Sequence, residues 1–506
     1  MKMSGILSIS SITQSVGAFF KRLFAKDDSV CGATLLPIRL TMLYLLLSVA
    51  VFAFGPFDWP LTRPVMLYVL LASYMIALWF GYRIGVKKEL AKAIEWNIID
   101  TNRFMIILSA LIVVNYIIYI VNIFRDYGFQ TLDFPELFRQ MAVGIKNPGL
   151  GYRNRLVRIE SIQAADIIGG RWMTLFNYMW AFVRYPILIL GILKFKKLKV
   201  WGKIAVVLYL STMALFYLSI GTSIDVLHVF LLLELPIVLQ TFRIWYKRDL
   251  KAKHVLKLCV SFLLGIALVL SYFTWMMLSR GGINNYEQPD YNVGGVHLSE
   301  GVITTEDDAP YEEVPQAENP QEGNLQDDSQ SESVSDRISS LAMKFWISFS
   351  SYFSQGYYGM SQALEVPWTP MFGVGNSMFL VDFISEHVYD IEQFTYQLKV
   401  EEAFGWDSKI QWNCMYTWLA NDVSFFGVII VMLLIGILFG AMFKDAIVTE
   451  NPFAQMSVFY FILMMLFIPC NNQIAQRADT LFSFVLIVCC WLLSKHPPKI
   501  LKKHFT

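Results

Sequence analysis

"MTLFNYMWAFVRYPILILGILKFKKLKVWGKIAVVLYLSTMALFYL", residues 173–218, joins two apolar runs through a connection that holds five lysines. An α-helix needs about twenty apolar residues to cross ~30 Å of hydrocarbon, and each run is about that long. The stretch reads as two membrane spans joined on the cytoplasmic side, where lysine and arginine collect. One feature breaks the pattern: Arg184 falls inside the first run, beside Pro186. A charge at that depth costs roughly 2.5–3.5 kcal/mol on insertion scales, so Arg184 is expected to face a wet cavity or a partner.

The same template applied outward gives ten spans, near 36–56, 64–82, 104–124, 173–193, 204–221, 223–242, 256–279, 424–443, 453–469 and 475–494. Composition agrees, because 56% of the 506 residues are apolar, only 16% are charged, and mean hydropathy is +0.48. A water-soluble fold has too little interior to hide that surface. The net charge of +1 argues against a nucleic-acid binder. The six scattered cysteines show no CxxC or Cys/His spacing and read as small apolar fillers.

The expected fold is therefore an all-α polytopic membrane protein of about ten helices. Basic connections ("YRIGVKKELAK", "KFKKLKVWGK", "RIWYKRDLKAKHVLK") alternate with short, nearly uncharged ones, which places both termini in the cytoplasm. Residues 1–35 read as a cytoplasmic amphipathic segment, and 36–279 as spans one to seven with a large outer loop at 125–172. A second outer loop begins with 280–336, where positions 281–336 hold fourteen Asp and Glu and no Lys or Arg. That composition is expected to stay flexible. Residues 337–423 read as a structured outer loop with a helix or two on the bundle surface, 424–494 as spans eight to ten, and 495–506 as a basic cytoplasmic tail. Gly436 and Gly440 form a GxxxG, expected to be a helix-packing face.

Candidate chemistry concentrates on the outer side. Arg153, Arg155, Arg158 and Arg171 fall within "GYRNRLVRIESIQAADIIGGRW", residues 151–172, and Arg280 closes the seventh span. Guanidinium forks suit phosphate and diphosphate oxygens; pairing with lipid headgroups or with Glu160 and Asp166 is the plainer reading. Asp225 and His228 share a helix face near Glu234, fit for a proton relay or for satisfying one another or Arg184. Glu365 sits among apolar neighbours, and Asp382, Glu386, His387 and Asp390 could supply a base for a sugar hydroxyl. Trp412, Trp418, Asn421 and Asp422, with Asn471, Asn472 and Gln473, combine rings and amides as carbohydrate sites do, and Arg477 follows close behind.

"SYFSQGYYGMSQALEVPWTPMFGVGN" (351–376), "YTWLANDVSFFGVIIVMLLIGILFG" (416–440) and "FIPCNNQIAQ" (467–476), in that order within a ten-span plan, resemble the Wzy-type O-antigen and oligosaccharide repeat-unit polymerases. The resemblance implies a GT-C-like glycosyltransferase of the bacterial inner membrane with its active site facing the periplasm. Such an enzyme moves a growing glycan from polyprenyl pyrophosphate onto the terminal sugar of a new lipid-linked repeat unit. It also implies no cofactor and no metal, with arginines binding the pyrophosphate. Arg171 and Arg280 are the first candidates for that role, with Arg153, Arg155 and Arg158 behind them and Arg184, Arg477 and the ring and amide group contacting substrate; Glu365 and His387 are candidate catalytic groups. Partners implied are the lipid-linked oligosaccharide, membrane lipids, and chain-length regulator and flippase proteins. The related O-antigen ligases carry a histidine where this chain has Asn413. A ligase, and a lipid-linked oligosaccharide flippase or transporter, stand as the alternatives.

Overall fold

The computed structural model describes residues 32–88, 101–161, 167–279, 292–293, 296–297 and 334–495. Residues 1–31 of the expected amphipathic segment, 496–506 of the basic tail and Arg280 lie outside the described residues, and 32–35 belong to the first membrane helix rather than to that segment. Within them the chain is an all-α polytopic bundle. Its helices run α1 Gly32–Phe54, α2 Pro64–Lys87, α3 Asn102–Asp126, α4 Phe134–Lys146, α5 Pro148–Ser161, α6 Gly170–Leu193, α7 Val200–Ser219, α8 Ser223–Tyr246 and α9 Ala252–Ser279. The second half adds α10 Val334–Ala363, α11 Met378–His387, α12 Tyr396–Phe404, α13 Met415–Val448, α14 Pro452–Phe467 and α15 Ala478–Lys495.

Nine of these helices are long and apolar enough to cross a membrane, and α14, at 16 residues, is the shorter tenth. Helix α14 is buried on almost every side, packed against α6, α8, α13 and α15, so protein rather than lipid surrounds it. At the other extreme α9 buries only Gly265, Tyr272 and Met276 and turns its leucines outward, as a lipid-facing helix does.

Side-chain contacts sort the helix ends into two sets. Thr34 near the start of α1 meets Tyr82 near the end of α2, Lys444 meets Lys88, and Arg243 pairs with Glu450 at 3.1 Å. On that same side Asp445 of α13, fully buried, accepts from Trp491 Nε1 (2.7 Å) and pairs with Lys495 (2.5 Å) of α15. The opposite ends gather Arg63 with Glu365, Arg125 with Gly170, Ser377 with Ala475 and Arg477 with Asp225. This is the partition into basic and weakly charged connections that the charge pattern gives.

The closest helix pair is α2 with α13. A Cβ added at Gly81 would lie 2.1 Å from the Leu433 carbonyl oxygen, and one at Gly436 would lie 2.4 Å from that of Leu78. Gly85 and Gly440 repeat the arrangement one turn on, at 2.2 Å from Ile437 and 2.3 Å from Tyr82. The GxxxG at 436–440 is thus a packing face whose partner is the second glycine pair at 81–85. Continuing as α13, the chain breaks at Ser424 (φ 60°, ψ 167°), where the eighth span begins, and Tyr74 Oη donates to the adjacent Phe425 carbonyl at 2.7 Å.

Three elements depart from the expected outer loops. The first loop folds into the hairpin α4–α5, seated where Gly144 and Gly151 approach the Ser219 carbonyl too closely for any side chain. Helix α10 does not lie on the bundle surface: Ile347, Tyr357, Met360 and Ala363 are buried, Ser48 bonds Tyr357 (2.9 Å), and Gly356 abuts the Pro469 carbonyl. Its aromatic, amphipathic sequence suits a surface helix, yet Ser354 bonds the Ser350 carbonyl and Tyr357 meets Ser48 inside the bundle. Within the acidic insert, Asn292–Val293 pairs antiparallel with Val296–His297, both valines are buried, and α10 begins at Val334 rather than 337.

Candidate functional site

Beneath the α4–α5 hairpin, on the weakly charged side, lies a cavity of about 650 Å³. Five arginines line it: Arg125 from α3, Arg155 and Arg158 from α5, Arg184 from α6, and Arg477 from the turn before α15. Asp126, Asp225 and Asp479 oppose them, so the guanidiniums outnumber the carboxylates by two. Tyr119, Tyr178, Tyr185, Tyr209 and Tyr217 form much of the remaining wall.

The arginines are held to different degrees. Both terminal nitrogens of Arg477 donate to the fully buried Asp225, at 2.6 and 2.9 Å, which fixes the fork and leaves its other N–H groups open to the cavity. Arg184 is held loosely, 3.5 Å from Asp479 and 3.4 Å from Asn177. Arg125 is tied to the hairpin's far end through the Ile168 and Gly170 carbonyls and Thr174, so it clamps the loop. Arg158 lies over the Tyr127 ring at 4.4 Å, and burial lowers its pKa. Arg155 makes no ion pair with another described residue.

Around the cavity several buried polar atoms lack a hydrogen-bond partner among the described residues: Tyr119 Oη, Arg184 Nε, Thr222 Oγ1 and both ring nitrogens of His228. Groups of this kind are costly to leave unmade in a dry interior, so a polar occupant is the natural completion of the site. His228 stands 3.8 Å from Asp225, which Arg477 already engages; the other acid of that helix, Glu234, accepts from Ser261 at 3.0 Å. Among the described residues no three His, Cys, Asp or Glu side chains converge as metal ligands would.

Of the residues singled out in the sequence, Arg155, Arg158, Arg184 and Arg477 meet in this cavity. Arg153 and Arg171 are exposed outside its lining; Arg153, two residues before Arg155, lies about 200° round the helix from it. Glu365 is not isolated among apolar groups; it pairs with Arg63 at 2.9 Å and accepts from Thr62 at 2.7 Å. His387 is exposed and stacks on Phe383. Helix α11 nonetheless borders the cavity, since Phe379 and Phe383 pack on Tyr178, a lining residue.

Part of the ring and amide group ties the outer loop together, while Asn471 Oδ1 and Gln473 Oε1 have no hydrogen-bond partner among the described residues. Asp422 accepts from the backbone N–H groups of Gly373, Gly375 and Asn376, and Asn421 ties Gly375, Tyr396 and Gln397 together. Asn472 donates to the Asn376 carbonyl, Asn471 and Gln473 are buried beside it, Trp412 packs edge-on to Tyr352, and Trp418 is half-buried nearby. Asn413 is buried against Gly359.

Sequence reading overlooked Arg125, Asp126 and Asp479. The signal was present: "FRD" (124–126) and "QRAD" (476–479) put charged pairs directly at span ends on the side whose short connections are nearly uncharged.

Asp382 carries a pH-dependent prediction. Partial burial of its carboxyl, then nearby Glu392 and Glu386, raise its pKa to about 6 against the pull of Lys409. The folded-state value lies above the unfolded one, so this side chain favours the fold below the unfolded pKa and loses that contribution as pH rises through about 6. Asp382→Asn should therefore raise the thermal midpoint at pH 7.5 and leave it unchanged near pH 4; an equal shift at both would dismiss this account.

Comparison with protein-family models, curated proteins and solved structures gave no match to this chain.

Proposed function

We propose that this chain is a membrane glycosyltransferase of the repeat-unit polymerase type, which transfers a growing glycan from a polyprenyl diphosphate onto the terminal sugar of a lipid-linked repeat unit at the outer leaflet. The observation that carries this reading is the convergence of five guanidiniums from four separate segments on one polar cavity among the spans. The excess of two positive charges matches a diphosphate diester, which bears about two negative charges at neutral pH. A fixed fork at Arg477 and a loosely held one at Arg184 suit a ligand that gains charge as it departs, because preorganised donors stabilise the leaving group most where water is excluded. The bordering tyrosines and the α11 rim offer faces for sugar rings.

Cells deleted for the chain should accumulate single lipid-linked repeats on the outer face, and purified protein given that lipid extract should form a ladder of products. A second reading, a lipid-linked oligosaccharide transporter, draws on Arg184, Asp225 and Asp479 lying within the spans. Repeats retained on the inner face of the deleted cells, with no ladder in vitro, would move the assignment there.

A further inference from the structure

We infer that Asp126 is the base that takes the proton from the acceptor sugar's hydroxyl, a role that rests on the glycosyl-transfer reading above. Three carboxylates line the cavity, and two are engaged. Asp225 spends both oxygens on Arg477, at 2.6 and 2.9 Å. Asp479 faces Arg184 at 3.5 Å with one oxygen and accepts from the Thr480 N–H with the other at 3.0 Å. Asp126 has no ion pair or hydrogen bond to another described residue, and its side chain is open to the cavity.

Its backbone setting favours proton uptake. Asp126 is the last residue of α3, where the carbonyl end of the helix dipole opposes a negative charge and so makes the carboxylate more basic. Its neighbours are fixed: Arg125 is drawn away to the carbonyls at Ile168 and Gly170, and Tyr127 bonds Ser219 at 2.7 Å. The carboxylate is thereby presented to the cavity without a hydrogen bond to the adjacent guanidinium, in the field of Arg155, Arg184 and Arg477 that keeps it ionised and ready to accept a proton. The outer-loop acids are less suited, because Glu365 is engaged by Arg63, Asp390 caps the turn at Glu392, and Asp382 and Glu386 lie outside the lining.

In the step itself the hydroxyl oxygen bonds to the anomeric carbon as that carbon's bond to the phosphate oxygen breaks. The bonding pair leaves on the diphosphate, where the arginines receive it. The hydroxyl proton passes to the Asp126 carboxylate, which afterwards releases it to water. Asp126 need only lie within hydrogen-bond reach of the bound hydroxyl.

The test uses purified full-length protein, the lipid extract of cells deleted for it as substrate, and farnesyl diphosphate as a binding probe. Asp126→Asn should slow ladder formation by about a hundred- to ten-thousandfold while probe affinity stays within about threefold, and Asp126→Glu should keep roughly a tenth of the rate or more. A ladder from Asp126→Asn at near wild-type rate would overturn the assignment. So would loss of probe binding in both variants, which would make Asp126 part of the scaffold. Wild-type protein that neither binds the probe nor forms a ladder would instead remove the polymerase reading, and the base with it.

Discussion

Replacing Arg477 by lysine should slow polymer formation by about a hundred- to a thousandfold, the range seen when one preorganised donor to a developing oxyanion is lost. Lysine keeps the charge, so a purely Coulombic role would leave the rate nearly intact. What lysine cannot keep is the fork. Arg477 spends two N–H groups on Asp225, at 2.6 and 2.9 Å, and can still present others to the cavity in a fixed plane. An ammonium held by the same carboxylate offers its remaining hydrogens from a single nitrogen, with no planar fork, and swings on a flexible stem. Asp225→Asn should act through the same geometry, with an added loss of stability from the ion pair broken at a fully buried position. Initial rates of ladder formation, read beside thermal midpoints in detergent, check both; an Arg477→Lys protein with wild-type rate and stability would exclude Arg477 from the site.

Gly436→Val should cost the fold more than any single change in the cavity. Its Cβ would sit 2.4 Å from the Leu78 carbonyl oxygen, and the backbones of α2 and α13 cannot yield without breaking the reciprocal contacts at Gly81, Gly85 and Gly440. Overpacking of this kind costs roughly 1–3 kcal/mol where neighbours can adjust, and the atoms here are main chain, which adjusts least. The double variant Gly81→Val/Gly436→Val should give no monodisperse protein by size exclusion, whereas Gly373→Ala, with open space around it but a positive φ, should cost far less. Equal losses from the two would show that the glycine seam does not hold the bundle together.

The spans were legible because a helix in lipid must satisfy its own backbone, and only long apolar runs can do so. Arg184 was legible as a residue needing a wet partner, and the structure supplies one in the cavity wall. Helix α10 was misplaced for a related reason: Ser48 bonding Tyr357 depends on residues about three hundred positions apart, and no local period records that pairing. Glu365 likewise drew attention through its apolar sequence neighbours, while its actual neighbour, Arg63, comes from the other end of the chain.

By itself the sequence determined that this is an all-α polytopic membrane protein and where its long apolar helices run, since hydrophobic length is a local quantity set against a slab of fixed thickness. Only the tertiary structure decided which arginines meet. Arg155 and Arg158 face the cavity while Arg153 turns away, because the hairpin's seating on Ser219 fixes the phase of α5, and Arg171, in the first turn of α6, is exposed outside the lining. Asp225 reaches Arg477 across 252 residues of chain because the bundle brings the start of α8 against the turn before α15, and side-chain convergence of that kind is a property of packing that no linear spacing encodes.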